Sequence, residues 1–414
     1  MPGFQPTRLW PRHAWPQGLT RTPFWAYQDP TVLDQEQVRL FEGPTWNYLC
    51  LEVDIPNSGD WRTTFVSRMP VVVVRLPDGG VAAFENRCAH RGSLICFDEC
   101  GSGAKDFTCV YHAWRYDLEG TLRSVAFQHG VNGKGGMPAD FRLEAHGPRK
   151  LRVTALHGLV FGTLSDETPP IETYIGPDVA RFLAVAAGRK LEVIGRFTEA
   201  LPNNWKMYAE NVRDTYHASL LHVFFATFKI TRLSQQGGVF VSPDGGCHAS
   251  TTIGSAEIVD HAYEGMRSVD DELRLADPSL LEWQDEHGDA IQQQILSVFQ
   301  NMVFQRTRNV MAVRHFVPRG KDQTDLHWIY LGYADDTPEL RRSRLKQINL
   351  TGPAGYVSLE DGCIGNFVER GAAAAPEECA LLEMGGGGTE SQETRASETA
   401  VRGFWKQWRA AMDV

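Results

Sequence analysis

Short hydrophobic runs separated by turn-forming residues fill the chain from Trp46 to about residue 165. β-Branched and aromatic residues make up these runs, and sequences such as PDGG at 77–80 divide them. Runs of this length, bounded by Gly, Pro and Asp, are typical of β-strands. The pattern therefore predicts a small all-β domain over 46–165, although a generic β-sandwich would have the same texture.

The hydrophobic pattern changes beyond residue 165. Apolar positions recur at helical spacing over 205–228, and five of them are expected to pack in the core: Met207, Val212, Leu220, Leu221 and Phe224. Two strand-like runs, a charged helix and a C-terminal amphipathic helix are expected at 309–318, 326–334, 337–350 and 397–412. The pattern predicts an α+β fold over 166–414, with an antiparallel sheet flanked by helices.

The length of the chain also indicates more than one domain. Its 414 residues are many for one hydrophobic core, so two domains are expected. The first forty or so residues are rich in Pro and Trp and turn helical at 34–43. We predict an N-terminal segment over 1–45 that packs on the second domain, followed by domains over 46–165 and 166–414.

Composition and charge argue against several classes of protein. Hydrophobic residues make up 42% and charged residues 22% of the chain, which is typical of a globular protein. The formal charge of −10 argues against a nucleic-acid partner. No apolar run approaches the roughly 20 residues of a membrane span, so no membrane association is expected. The first 20 residues lack the apolar core of a secretory signal, which favours a cytoplasmic location and reduced cysteines.

Two cysteine–histidine pairs stand within the predicted β domain. Cys88 and His90 lie in CAHRG, and Cys109 and His112 lie in CVYHAW, with 18 residues between the two pairs. Two thiolates and two imidazoles suit either zinc or an iron–sulfur cluster. Zinc sites more often repeat Cys-x-x-Cys, and a domain with this many strands needs no metal to fold. A [2Fe–2S] cluster with two cysteines on one iron and two histidines on the other fits better.

Asp214, His217 and His222 lie close together in ENVRDTYHASLLH, at 210–222. On a regular helix the two histidines would lie about 140° apart, so both reach one metal ion only if the helix bends or widens. Taken alone, they are more typical of structural histidines. An electron-transfer cluster upstream needs an acceptor, however, and a mononuclear iron with two histidines and one carboxylate would be one. Glu360 and Asp361 are both candidates for that carboxylate.

Arginines are candidates for binding a substrate. An iron site does not select its substrate, and a planar guanidinium suits a carboxylate in two-point contact. Arg314 lies in a strand-like run, and Arg395 follows a Gly-rich stretch. Taken alone, either side chain is more typical of a solvated or ion-paired arginine. The chain has no GxGxxG strand–turn–helix signature, so electrons from NADH would have to arrive through a separate reductase.

The segments CAHRG and CVYHAW, together with GVNGKGGMPADF and RASETAVRGFWK, resemble the large (α) subunits of the Rieske non-haem iron aromatic-ring-hydroxylating oxygenases. The resemblance extends over nearly the whole chain beyond residue 20. It implies that Cys88 and Cys109 hold the inner iron of a Rieske [2Fe–2S] cluster. His90 and His112 would then hold the outer iron.

The same resemblance assigns roles in the second domain. It implies a mononuclear Fe(II) held by His217, His222 and Asp361, because a GPAG segment precedes the carboxylate ligand by a fixed interval in this family. Asp214 would link His217 to a cluster histidine, His112, of a neighbouring subunit. Asn211 matches an asparagine close to the iron, although a helix-surface amide is as typical an interpretation.

The implied reaction is cis-dihydroxylation of an aromatic ring, or monohydroxylation in close relatives, using O2 and reductase-delivered electrons from NADH. The resemblance also implies a small β subunit in an α3β3 assembly. Arg314 and Arg395 match two substrate-binding arginines, which favours an aromatic dicarboxylate with acid groups at opposite ends of the ring. Salicylate-type, phthalate-type and isophthalate-type substrates remain alternatives. A pure electron carrier and a zinc-stabilised binding protein are the rivals from other classes.

Overall fold

A computed structural model describes residues 14–254, 261–266, 272–352 and 356–414. The chain forms two compact units. One is Phe41–Thr168, and the other joins Pro169–Val414 to the described part of Met1–Leu40. The predicted boundaries at residues 45 and 165 remain predictions, and residues 1–13 of the predicted N-terminal segment lie outside the described part of the chain.

The described part of the N-terminal segment is tied to the larger unit by a buried ion pair. Its elements are strand β1, helix α1, helix α2 and a π-helical turn: Arg21–Pro23, Trp25–Gln28, Pro30–Glu36 and Gln37–Phe41. Helix α2 begins after Asp29, whose side chain accepts the Thr31 N–H at 2.8 Å. Glu36 Oε1 lies 2.8 Å from Lys206 Nζ, and both side chains are fully buried.

The smaller unit is built from strands, as the sequence predicts. The ten strands among its described residues, β2 to β11, are Asn47–Leu51, Trp61–Val66, Met69–Arg75, Val81–Glu85, Cys100–Gly101, Phe107–Thr108, Arg115–Tyr116, Leu122–Ser124, Lys150–Leu156 and Leu159–Thr163. They form an antiparallel sheet in the order β2-β11-β10-β5-β4-β3-β6 and a small sheet β7-β8-β9. Val72, Val74 and Phe84 are fully buried in its core, where the β-branched runs meet the aromatic residues.

The larger unit has the predicted α+β architecture. Beyond Pro169 its helices α3 to α10 are Ile171–Ile175, Pro177–Ala187, Trp205–Asn211, Ala218–Leu221, Val223–Thr227, Pro338–Thr351, Tyr356–Ala374 and Thr399–Met412. Its strands β12 to β19 are Leu191–Leu201, Gly237–Val241, His248–Ile253, Ile291–Val298, Met302–Thr307, Val310–Gly320, Gln323–Tyr333 and Cys379–Leu381. Seven of them form an antiparallel sheet in the order β12-β18-β17-β16-β15-β14-β13, and β19 pairs with β1.

One face of the large sheet packs against helix α5. Side chains alternate between the faces of a strand, so Ala312, Arg314 and Phe316 of β17 point to the same side. The Phe316 ring lies 5.4 Å from the ring of Tyr208 in α5, centre to centre, and Arg314 also contacts Tyr208. The face that carries Arg314 is therefore the face covered by α5.

The helical spacing over 205–228 corresponds to three short helices, α5 to α7, rather than to one continuous helix. His222 stands between α6 and α7 with φ −85° and ψ 76°, outside the helical region. The interruption also overturns one packing prediction. Leu220 is 40% exposed, whereas Met207 and Val212 are buried as expected. Among the described residues, no helix is long and apolar enough to cross a membrane.

Candidate active site

Two matching turns carry the cysteine–histidine pairs. In the first turn the Cys88 N–H donates to the Ser93 carbonyl at 2.8 Å, and in the second the Cys109 N–H donates to the Trp114 carbonyl at 2.9 Å. Each bond joins a cysteine to the residue five positions later. The repeated CxHxG-like and CxxHxW sequences therefore fold into similar loops, each with its cysteine at the base.

The two turns bring the two histidines together and the two cysteines together. The rings of His90 and His112 lie 4.5 Å apart, centre to centre, and His90 stacks on Trp114 at 4.9 Å. Cys88 is buried, and its Sγ lies 3.2 Å from the Tyr116 hydroxyl. Burial raises the pKa of this thiol. Two buried sulfurs and two more exposed imidazoles make a donor set that suits a [2Fe–2S] cluster.

His217, His222 and Asp361 form the second group of candidate metal ligands. The Nε2 atoms of the two histidines lie 3.5 Å and 3.3 Å from Asp361 Oδ1, and the three ligand atoms all lie within 4.8 Å of one another. The break in the helix at His222 lets both imidazoles face one point, which a regular helix would prevent. Two imidazoles and one carboxylate suit a mononuclear iron.

The outer nitrogen of each imidazole faces its own carboxylate. His217 Nδ1 lies 3.3 Å from Asp214 Oδ2, and His222 Nδ1 lies 2.7 Å from Glu360 Oε2. Such partners fix the orientation of a ligand histidine and leave Nε2 for the metal. Glu360, one of the two candidates for the third ligand, thus contacts the far side of His222, whereas Asp361 faces the centre of the group.

The charges of His217, His222 and Asp361 strongly affect one another's pKa values. Burial disfavours the charged form of His217, but hydrogen bonds to Asp214 and Asp361 outweigh it and raise the pKa of His217 to about 10. Burial likewise disfavours ionised Asp361, but His222 and His217 hold the pKa of this carboxyl well below its usual range. A bound metal cation would replace this proton-dependent charge balance, because ligands bind it in their deprotonated forms.

Asn211 lies at the end of α5, beside the same group. Its Nδ2 donates to Asp361 Oδ1 at 3.0 Å and lies 3.5 Å from His217 Nε2. The amide therefore faces the candidate metal site and is only partly buried. Tyr216 and His217 donate their backbone N–H groups to Asp214 Oδ1, at 2.8 Å and 3.3 Å. These bonds hold the turn that presents His217.

One cavity joins the candidate metal site to both predicted arginines. Its volume is about 630 Å³ including its open mouth, and His217, His222, Asp361, Arg314 and Arg395 all line it. Neither arginine forms an ion pair with a carboxylate among the described residues. Two buried cations without anions among the described residues are costly unless a ligand supplies the anion.

Arg314 lies on the sheet floor of this cavity. Its Nη1 donates to the Tyr208 hydroxyl at 2.9 Å, and its guanidinium lies 5.0 Å from the centre of the Trp328 ring. Its Nε is buried with no hydrogen-bond partner among the described residues. The stacked and anchored guanidinium is held in place before a ligand binds.

Arg395 approaches from the loop that precedes α10. Its Nη1 donates to Thr231 Oγ1 at 2.6 Å, and its Nη2 donates to the Arg232 carbonyl. Its Nε, like that of Arg314, has no partner among the residues that the structure describes. Burial lowers the pKa of Arg395 to about 10, which reflects a cation without a compensating anion.

Several side chains at these sites escape sequence reasoning. Tyr116 contacts Cys88 in the first cluster turn, and Tyr208 contacts Arg314. Gln305 lines the cavity. None stands in a motif with the ligands. Strand alternation places Gln305 on the same face as Arg314 only when the pairing of β16 with β17 is also known.

The fold and the two metal sites define a ring-hydroxylating oxygenase with a Rieske domain. Residues 45–133 match the Rieske [2Fe-2S] domain family, and residues 188–414 match the family described as ring hydroxylating alpha subunit (catalytic domain). The chain belongs to this α-subunit family, which confirms the resemblance. Its cofactors are a Rieske [2Fe–2S] cluster and a mononuclear iron.

Curated relatives extend over almost the whole chain. The terephthalate 1,2-dioxygenase terminal oxygenase component subunit alpha 2 of Comamonas sp is 53% identical over 95% of both chains. The anthranilate 1,2-dioxygenase large subunit of Burkholderia cepacia is 40% identical over 95% of this chain and 93% of the relative. The salicylate 5-hydroxylase large oxygenase component of Ralstonia sp is 37% identical over 96% of both chains.

Solved structures support the fold. The naphthalene 1,2-dioxygenase from Rhodococcus sp. bound to indole superposes with a TM-score of 0.78 at 22% identity, over 95% of this chain and 94% of that one. A likeness at this identity bears on architecture alone. The predicted combination of an N-terminal all-β Rieske fold and an α+β catalytic fold is confirmed.

Proposed function

We propose that this chain is the large oxygenase subunit of a terephthalate 1,2-dioxygenase. The enzyme would convert terephthalate into a 1,2-dihydroxycyclohexadiene-1,4-dicarboxylate, using O2 and electrons from NADH. One observation carries the proposal: two buried arginines without carboxylate partners among the described residues share a cavity with His217, His222 and Asp361. The relative from Comamonas sp, which is 53% identical, supports the same substrate.

The placement of the two arginines favours a diacid whose carboxylates are far apart. Arg314 lies on β17, whereas Arg395 binds Thr231, which lies 3.3 Å from Thr252 on β14. Strands β17 and β14 are three sheet positions apart, or about 14 Å. A benzene ring with carboxylates in the 1 and 4 positions presents two anions at opposite ends, so each arginine would bind one of them.

A salicylate 5-hydroxylase is the alternative, with phthalate and isophthalate oxygenases as further candidates. The relative of that activity is 37% identical over 96% of both chains. A monocarboxylate would use one arginine and leave the other buried without an anion, which is unfavourable. The presence of both Arg314 and Arg395 therefore favours the para-diacid.

In this proposal Cys88, His90, Cys109 and His112 hold the cluster, and His217, His222 and Asp361 hold the mononuclear iron. When bound, the cluster supplies single electrons and the iron supplies activation of O2. Asn211 would steady Asp361 through its amide, and Glu360 would fix the ring of His222. Arg314 and Arg395 would hold the substrate so that the 1,2 edge of its ring faces the iron ligands.

Electron transfer would pass between neighbouring subunits. Asp214 contacts His217, and it borders a cavity whose wall includes the partly exposed Leu220 and Val368. Val110 and Tyr111, next to His112, are 68% and 56% exposed. Neighbouring exposed apolar side chains that form a patch are typical of an interaction surface. We propose that the His112 turn of one chain meets Asp214 of the next, in an assembly of three α and three β subunits.

The partners and location follow from the same proposal. An NADH-linked reductase would deliver the electrons, and a small β subunit would complete the assembly. A cytoplasmic location, with its supply of NADH, remains a prediction. The segment 1–45 and the domains 46–165 and 166–414 remain our proposed division of the chain, with the GPAG motif partly outside the described residues at 353–355.

Product analysis tests the proposal directly. Purified oxygenase would be supplied with a surrogate NADH-linked reductase and a panel of benzene carboxylates. We expect terephthalate to be consumed fastest and to gain two oxygen and two hydrogen atoms. Preferential consumption of salicylate, with gain of one oxygen, would replace the proposal by its alternative. Iron content supplies a second criterion, since an oxygenase holds about three iron atoms per chain and a pure electron carrier about two.

A further inference from the structure

One buried side chain in the active-site cavity has no place in the reaction as proposed. Gln305, on β16, is 4% exposed, and its Oε1 has no hydrogen-bond partner among the described residues. Its Nε2 donates to Thr307 Oγ1 at 3.0 Å. The amide nitrogen is therefore engaged, and the acceptor oxygen is left over. A buried acceptor without a donor is unfavourable, so such a group points to a ligand that supplies one.

The strand register places Gln305 between the two arginines. It pairs with Ala312 on β17, two residues before Arg314, so both side chains project from the same face. On the other side it pairs with Ile295 of β15. Ile295 pairs with Ser250 on β14, the strand that also carries Thr252.

Arg314 and Thr252 lie at the two ends of a diagonal line across the sheet, and Gln305 lies between them. The Thr252 hydroxyl lies 3.3 Å from Thr231 Oγ1, which accepts a hydrogen bond from Arg395. A ring held by Arg314 at one end and Arg395 at the other would therefore lie over Gln305. The edge of an unsubstituted terephthalate offers only C–H groups to the Gln305 oxygen, which would stay without a strong donor.

We propose that Gln305 is a specificity-determining residue that accepts a hydrogen bond from an amino or hydroxyl group on the ring of the bound diacid. The enzyme then also oxidises 2-amino- and 2-hydroxyterephthalate. This inference rests on the proposed function, because it takes the two arginines as the anchors of the diacid. It adds a class of substrate in which the ring itself carries a hydrogen-bond donor.

The reaction balances as it does for the parent diacid. Two C–O bonds form on adjacent ring carbons and one ring π bond is lost. O2 accepts four electrons in all, two from NADH through the reductase and two from the ring π bond that is lost. NADH with one further proton supplies the two hydrogens of the new hydroxyl groups and leaves as NAD⁺.

The test compares substituents of similar size that differ in hydrogen bonding. The holoenzyme, with reductase and NADH, is given 2-aminoterephthalate or 2-methylterephthalate, and kcat/KM is measured from substrate consumption. We expect the wild-type enzyme to prefer the amino compound by about three- to tenfold, which is the effect of one hydrogen bond. Gln305→Leu should abolish or reverse this preference. An equal or better rate with the methyl compound in the wild type would overturn the inference, as would an unchanged ratio in the variant.

A matched control separates this effect from a general loss of polarity. Gln293, on β15, lines the same cavity, and Gln293→Leu should leave the amino-to-methyl ratio near that of the wild type. Gln305→Met provides a second substitution should Gln305→Leu fail to fold. The visible spectrum of the cluster verifies that each variant is loaded.

A second pair of substrates distinguishes failure of the inference from failure of the proposed function. If terephthalate is not consumed at all, the proposed function is wrong. The preference for a donor can then be measured with 2-aminobenzoate and 2-methylbenzoate. Consumption of terephthalate without any amino preference leaves the proposed function standing and rejects the role of Gln305.

Discussion

His222 stands at the break between the short helices α6 and α7, and its Nδ1 lies 2.7 Å from Oε2 of Glu360 in helix α9. The other ring nitrogen of His222 faces Asp361 at 3.3 Å. Adjacent residues of one helix thus contact the two nitrogens of one imidazole. The carboxylate at 360 orients the ring, and the carboxylate at 361 shares the candidate iron site with it.

Glu360→Ala should weaken iron binding at the mononuclear site by about 10- to 100-fold, because the ring of His222 loses the partner that fixes its tautomer. Competition with a chelator measures the affinity. Glu360→Gln keeps an acceptor for the His222 N–H and should lose much less. If both variants bind iron as well as the wild type does, Glu360 does not position the histidine.

Asp214→Asn should leave both metal centres loaded but slow the delivery of electrons. An asparagine oxygen can still accept the Tyr216 and His217 backbone N–H groups, so the turn survives. The negative charge beside His217 Nδ1 is lost, however. Metal analysis reports loading, and reoxidation of the reduced cluster by O2 with substrate present reports transfer. Loss of iron would instead make Asp214 part of the metal-binding site.

Arg395→Ala should reduce kcat/KM for terephthalate by the equivalent of about 2–5 kcal/mol, because one buried carboxylate loses its partner. Benzoate presents only one carboxylate and should lose less. Arg395→Lys is the matched control, since it keeps the charge but not the planar fork. Equal losses with both substrates would remove the reason for choosing a diacid.

Glu210→Gln should stabilise the protein at high pH. Burial is the main cause that raises the pKa of Glu210 to about 7 from 4.5, and its Oε1 accepts hydrogen bonds from Tyr27 at 2.7 Å and from Trp405. The folded state therefore holds a proton that the unfolded state releases, so stability falls as pH rises from 4.5 to 7. A glutamine oxygen can accept the same bonds without this penalty.

We expect the Tm of Glu210→Gln to exceed that of the wild type by a few degrees at pH 8, consistent with about 1–2 kcal/mol in a domain of this size. At pH 4 the two proteins should melt nearly alike, because the wild-type carboxyl is then mostly protonated in both the folded and the unfolded state. Thermal denaturation monitored by circular dichroism at both pH values measures the difference. A gain of the same size at both would show that ionisation of Glu210 is not its source.

The local parts of the site could be predicted from the sequence. Each cysteine–histidine pair lies within a single turn, so Cys88 and His90 are neighbours whatever the rest of the chain does. The antiparallel sheet and the alternation that sends Ala312, Arg314 and Phe316 to one face likewise follow from a pattern of period two.

The position of the helix break could not be predicted, because apolar positions continue at helical spacing through it. What ends the helix is the Asp214 side chain, which accepts backbone N–H groups, together with the non-helical backbone of His222. The distinction between Glu360 and Asp361 also depends on tertiary structure. Neighbouring helix residues point about 100° apart, and only the packing of α9 decides which one faces the centre.

The two anchors of the cavity differ in how they are built. Arg314 belongs to an interior strand, where an insertion or deletion of one residue would turn its side chain to the opposite face. Arg395 belongs to the connection between β19 and α10, and such connections tolerate changes of length and sequence. Related enzymes can therefore replace Arg395 during evolution while they conserve Arg314. Changes of substrate range can then arise in the connection between β19 and α10 without altering the residues that would hold the iron.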